Sequence, residues 1–129
     1  MDNARELRIS NWVINEDDIN VKITQVSIDI IHYEYISKKG HKIATGDGIE
    51  NFKPIPLTEE LLLKAGCEET IRGTWLTPIV NRNRARICKG ENGLFYSYIN
   101  EFRKIKLPYL HTLQNYMFIL DGQELEINL

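Results

Sequence analysis

The residues best placed to do chemistry are three arginines. Arg82, Arg84 and Arg86 stand at i, i+2 and i+4, and on an extended strand that spacing puts all three on one face, with Ala85 and Ile87 on the other. Successive members would lie about 6 to 7 Å apart, a distance at which planar guanidinium forks grip phosphate or carboxylate groups two-pronged. Trp75, Tyr96 and Tyr98 are close by in the chain and offer ring faces on which a base could stack. The candidate anion-binding set is therefore Arg82, Arg84, Arg86, Tyr96 and Tyr98. A plainer use of the same charge stands beside this one. Positive residues on an edge strand prevent unwanted pairing, and acidic side chains from the rest of the chain can neutralise the arginines internally.

Other chemistry finds less support. His32, His41 and His111 are widely separated, and none sits in an i, i+4 or His-x-Glu arrangement from which zinc sites are made, so no metal is expected. His111, Gln114 and Asn115 would share a helix, where they satisfy buried polar groups. Cys67 and Cys88 form no Cys-x-x-Cys and read as buried free thiols. The carboxylate pairs Asp17-Asp18, Glu59-Glu60 and Glu68-Glu69 are sequence neighbours whose side chains diverge on either helix or strand, which suits solvated faces and caps. No spacing suggests a nucleophile held by a base and a third orienting group. No catalytic residue and no cofactor is expected, and the chain reads as a binding protein rather than an enzyme.

With 129 residues, 43% of them hydrophobic and 26% charged, the composition is that of one ordinary globular domain that needs neither disulfide nor metal to fold. The net charge of −2 argues on average against a dedicated nucleic-acid protein. The charge is unevenly placed, however: the stretch from Thr70 to Pro108 carries +6 and the remainder −8, a hint that one side meets an anionic partner. The polar start Met1-Asp2-Asn3-Ala4-Arg5-Glu6 lacks the pattern of a secretory signal, and no apolar run reaches the roughly 18 residues of a membrane span. A cytoplasmic location follows as the expectation.

The elements that must position these groups read as α+β, an antiparallel sheet or a small SH3-like barrel with a short central helix and a C-terminal helix. Residues 1–50 are strand-rich. Leu7 and Ile9 alternate, and Trp12-Val13-Ile14 runs into an acidic loop. Ile19, Val21 and Ile23 alternate, then Val26, Ile28 and Ile30 resume in the opposite phase. That slip predicts a bulge or turn near Thr24-Gln25, with one strand continuing to the Lys38-Lys39-Gly40 turn and His41 to Thr45 returning beside it. Gly46-Asp47-Gly48 reads as a hairpin turn rather than a phosphate loop, and the prolines of Asn51-Phe52-Lys53-Pro54-Ile55-Pro56 make an extended connector kept from a sheet centre.

The stretch 58–66 is a short helix with Thr58 as N-cap, Glu59 and Glu60 in its first turn, a Leu57–Leu62 staple, and Gly66 at the left-handed end with Cys67 packing back on Leu62. The stretch 82–107 is a basic β-hairpin region turning at Gly90-Glu91-Asn92-Gly93, with Arg103, Lys104 and Lys106 extending the charge. A C-terminal helix over 108–122 opens at Pro108, carries Leu110, Leu113, Met117 and Leu120 on its covered face, and stops at Gly122. Leu125, Ile127 and Leu129 alternate with polar residues as a terminal half-buried strand would. That strand would pair with its own sheet or a neighbour, which makes a homodimer conceivable.

Three stretches resemble a family of small uncharacterised proteins common in phages and mobile elements of gut anaerobic bacteria. They are Glu6-Leu7-Arg8-Ile9-Ser10-Asn11-Trp12-Val13, the run from Phe52-Lys53-Pro54-Ile55-Pro56-Leu57-Thr58 to Gly66, and Leu110-His111-Thr112-Leu113-Gln114-Asn115 continuing to Gly122. Ser10 stands where the family pattern has glycine, and an aromatic expected near Leu61 is missing. The resemblance implies a phage-associated accessory protein inside a bacterial cell and assigns no catalytic residues. Two functions are weighed: binding of a protein partner through the face around the 84–99 hairpin, and binding of a phosphorylated ligand there, whether nucleotide, cyclic-nucleotide immune signal or nucleic acid.

Overall fold

Alternating apolar residues build the first half of the chain into a sheet. The computed structural model describes residues 7–78, 84–100 and 103–129, and the chain divides into two compact units, Met1–Ile55 and Pro56–Leu129. In the first unit, β1 (Trp12–Ile14), β2 (Asn20–Val26), β3 (Ile30–Ile36), β4 (Lys42–Gly48) and β5 (Lys53–Pro54) form an antiparallel sheet in the order β4-β3-β2-β1-β5. Its inward positions, Val13, Val21, Ile23, Ile31 and Tyr33, bury with Leu7 and Phe52, and Phe52 meets the Tyr33 ring edge-on at 5.7 Å.

The phase slip in β2 is a bulge between Ile23 and Gln25, where the sequence predicts it. The long strand expected through Ile36 is instead a hairpin. The chain reverses at residues 27–29, the Ser27 N–H donating to the Ile30 carbonyl, and Ile28 stands exposed at the tip, so its place in the alternation is a coincidence of turn length. Gly46-Asp47-Gly48 is likewise no turn: it ends β4, in register with Ile30, Ile31 and His32. A Cβ at 46 would come within 2.7 Å of the His32 ring, so a larger residue there would force that ring to shift. Proline keeps β5 to two residues at the sheet edge.

Asn15 is buried because it organises the acidic loop, its Oδ1 accepting from the N–H groups of Asp17 and Ile19. Ser10 takes φ +77, in the left-handed region where a Cβ crowds the following carbonyl. Ser10→Gly is expected to raise stability by about 0.5 to 1 kcal/mol, the strain relieved less the extra chain entropy of glycine. Chemical denaturation checks it, and a lower midpoint would mean that the serine side chain contributes more than its backbone strain costs.

The second unit opens with α1 (Glu59–Lys64), capped as the sequence predicts: the Thr58 hydroxyl accepts from the Leu61 N–H at 3.2 Å. Gly66 sits at φ +85, and the Cys67 N–H returns to the Leu62 carbonyl. Then β6 (Glu68–Ile71), β7 (Thr74–Leu76), β8 (Arg86–Lys89), β9 (Phe95–Asn100) and β10 (Arg103–Lys106) form a second antiparallel sheet in the order β10-β9-β8-β7-β6. One of its faces gathers Trp75, Ile87, Phe95 and Ser97 through the register Trp75↔Ile87↔Ser97. The helix α2 (Leu110–Asp121) joins that face, its Tyr116 hydroxyl 2.9 Å from Ser97 Oγ.

The architecture is thus α+β with two antiparallel sheets. Each sheet is open at both ends, so the barrel alternative gives way: neither outermost strand meets its opposite number. Three smaller expectations change as well. The C-terminal helix begins at Leu110 rather than Pro108, with Tyr109 as its N-cap residue. Its covered stripe ends at Met117, leaving Leu120 43% exposed. Residues 124–129 keep their alternation, with Leu125 and Ile127 buried, but form no ladder and so are not a strand.

Candidate functional site

The hairpin that carries the arginines forms as expected, β8 pairing with β9 through Ile87↔Ser97, Cys88↔Tyr96 and Lys89↔Phe95. Alternation then separates its side chains as predicted: Ala85 and Ile87 are buried, while Arg84 and Arg86 reach the surface. Arg82 lies outside the described residues.

The two described arginines differ in what holds them. Arg84 Nε donates to the Thr77 carbonyl at 2.7 Å and Nη2 to Glu68 Oε2 at 2.9 Å. Its fork is divided between the Thr77 carbonyl just past the end of β7 and a carboxylate of β6, the internal neutralisation that the acidic remainder of the chain makes available. Arg86 is exposed, and none of the ion pairs among the described residues engages it. Thr77 completes the anchor, its hydroxyl accepting from the Ala85 N–H at 2.8 Å.

The aromatic residues separate in the same way. Trp75 is buried against Phe95 in an edge-to-face contact at 5.6 Å and is closed to any ligand. Tyr96 is also buried, with Lys104 Nζ 4.4 Å from its ring centre and the Asn92 amide donating to its hydroxyl at 2.9 Å. Tyr98 remains, half exposed. One step beyond the Ile87↔Ser97 pair, it falls opposite Arg86.

Where β8 begins, Arg84, Arg86, Tyr98, Tyr116 and Leu120 line a cleft of about 380 Å³. The structure therefore brings three of the sequence candidates together, Arg84, Arg86 and Tyr98, and sets Tyr96 apart in a separate hollow with Asn92 and Lys104. Tyr116 and Leu120 were not among the candidates. Their i, i+4 spacing on α2 places them on one helical face, a signal the sequence carries but which there is indistinguishable from a core stripe. The cleft offers one committed guanidinium, one open guanidinium, an aromatic face and an aliphatic rim.

The thiols and imidazoles take no part in it. Burial pushes the Cys67 thiol up to about 11, an effect only partly countered by the nearby Arg84 charge, so it stays protonated at neutral pH. His111 is buried, stacked on the Tyr109 ring at 5.6 Å, and burial lowers its pKa to about 4. Among the described residues no group of three or more His, Cys, Asp and Glu side chains is placed to hold a metal ion. No helix among them is long and apolar enough to cross a membrane.

Comparison of the chain with family models, with curated proteins and with solved structures found no match in any of the three.

Proposed function

We propose that the protein is a non-catalytic binding module, a phage-associated accessory protein of the bacterial cytoplasm, that docks a protein partner in the cleft lined by Arg86, Tyr98 and Leu120. The observation that carries this reading is the contrast between the two arginines. A phosphate cluster is best gripped by converging forks, and here Arg84 is already spent on Glu68 and Thr77. What remains open is one guanidinium beside a tyrosine and an exposed leucine, the combination of residue types that anchors protein interfaces. A segment presenting a carboxylate next to an apolar side chain fits it.

A second reading, a phosphorylated ligand such as a nucleotide, a cyclic-nucleotide signal or a nucleic acid, draws on one observation. Tyr98 lies opposite Arg86 with its ring half exposed, so a base could stack on it while Arg86 meets a phosphate.

The test compares wild-type protein with Arg86→Glu and Leu120→Asp, both at exposed positions that tolerate a folded chain. In quantitative capture from bacterial lysate, a specific partner should be retained by the wild type and weakened about thirtyfold by either variant, the effect of losing a hot-spot contact worth roughly 2 kcal/mol. Equal capture by all three proteins sinks the cleft as the site. A nucleotide-dependent rise in the unfolding midpoint that Arg86→Glu abolishes would move the cleft to the second reading.

A further inference from the structure

Sheet edges are liabilities, because their unpaired N–H and C=O groups template pairing with another chain, and proteins blunt them with prolines, charges, bulges or short strands. Three of the four edges among the described residues are blunted. β5 is two residues long and contains Pro54. β6 has exposed Glu68 and Glu69 and a register shift between Glu69 and Ile71. β10 carries exposed Lys104 and Lys106 and a shift between Arg103 and Lys104.

The fourth edge, β4, has no proline, no bulge and full length, and its charges lie away from its centre. It pairs with β3 at all seven positions without a register shift, from Ile36↔Lys42 to Ile30↔Gly48. It holds no proline, its charges sit at Lys42 and Asp47 near the two ends, and small residues, Ala44, Thr45 and Gly46, occupy its centre. No residue along it is buried.

We propose that β4 pairs antiparallel with β4 of a second copy of this chain, joining two five-stranded sheets into one continuous sheet. The occupant is a second copy because the strand complements itself. A two-fold axis normal to the sheet must pass through a residue that faces its own copy, since directly opposed residues share a face. With the axis at Ala44, Ile43 faces the partner's Thr45, a favourable pair of β-branched side chains. Lys42 then faces the partner's Gly46, where no side chain competes for room, and His41 faces the partner's Asp47. No like charges are opposed. Moving the axis to Thr45 would set Ile43 against the partner's Asp47, an apolar side chain against a carboxylate. The proposal is independent of the cleft, which lies wholly in the second unit.

Sedimentation equilibrium over a hundredfold range of concentration tests it. The wild-type mass should move from that of one chain towards twice that value. Ala44→Lys introduces a charge at an exposed position opposite Glu34 of β3, so the chain still folds, as far-UV circular dichroism would report. On the axis it opposes two lysines, and the protein should stay monomeric throughout. Ala44→Glu, which faces Glu34 with a like charge and is therefore used only with its native far-UV circular dichroism spectrum verified, should do the same, and an equimolar mixture of the two variants should regain the dimer. A wild type that is monomeric at every concentration overturns the proposal, and so does a dimer that survives Ala44→Lys. Failure of the mixture to associate when the wild type does would overturn the register on which the proposal rests.

Discussion

Trp75→Ala is expected to remove about 3 to 5 kcal/mol of stability, the usual cost of truncating a buried aromatic to alanine. Trp75 is 2% exposed, pairs with Ile87 across the strands and meets Phe95 edge-on, so the change opens a cavity in the middle of the face on which α2 lies. Against a total of about 5 to 15 kcal/mol for a domain, that loss is a large share. The expected result in urea is an early transition reported by far-UV circular dichroism. Trp12, half-buried in the other unit, remains as a fluorescent reporter there, so that unit can be followed beside the whole-chain signal. A midpoint within experimental error of the wild type would mean that Trp75 is not a core residue.

Stability should also fall steeply on mild acidification because of His111. The imidazole is 2% exposed, and burial lowers its pKa from the ordinary 6.5 to about 4. The unfolded chain therefore takes up a proton in a range where the folded chain resists it. The contribution is fully present above pH 6.5, is lost as the pH falls from 6.5 towards 4, and levels off below that. At 1.36 kcal/mol per unit, the gap amounts to roughly 3 kcal/mol. His111→Gln keeps a buried amide in place of the imidazole and removes the titration. The wild-type stability curve should drop more steeply than the variant's between those limits, and parallel curves would show that His111 is not the group responsible.

What was legible in the sequence was what local rules decide. The cap at Thr58, the left-handed turn at Gly66, the bulge beside Gln25 and the burial of Ala85 and Ile87 against the exposure of Arg84 and Arg86 all follow from steric and hydrogen-bonding preferences of a few adjacent residues. Elements whose burial is set from a distance were not legible. All four residues of β6 are exposed, so no alternation announces it, and β7 is only three residues long. The same limit applied to the site. Spacing put the arginines on one face, but nothing local says that Glu68 and the Thr77 carbonyl take Arg84 out of use. The hydrophobic periodicity of α2 likewise does not reveal that Leu120, in its last turn, is exposed and lines a cleft.

The double anchorage of Arg84 bears on the thermodynamics of recognition. Immobilising a long, rotamer-rich side chain at an interface costs about 0.5 to 1.5 kcal/mol. Arg84 has met that cost during folding, since its Nε and Nη2 are held at opposite ends by the Thr77 carbonyl and Glu68. It forms a wall whose shape is set before any partner arrives. Among the described lining residues, Arg86, the ring of Tyr98 and the exposed Leu120 keep freedom that a partner docking in the proposed cleft would take up, so the entropy of such binding would be concentrated in these three side chains.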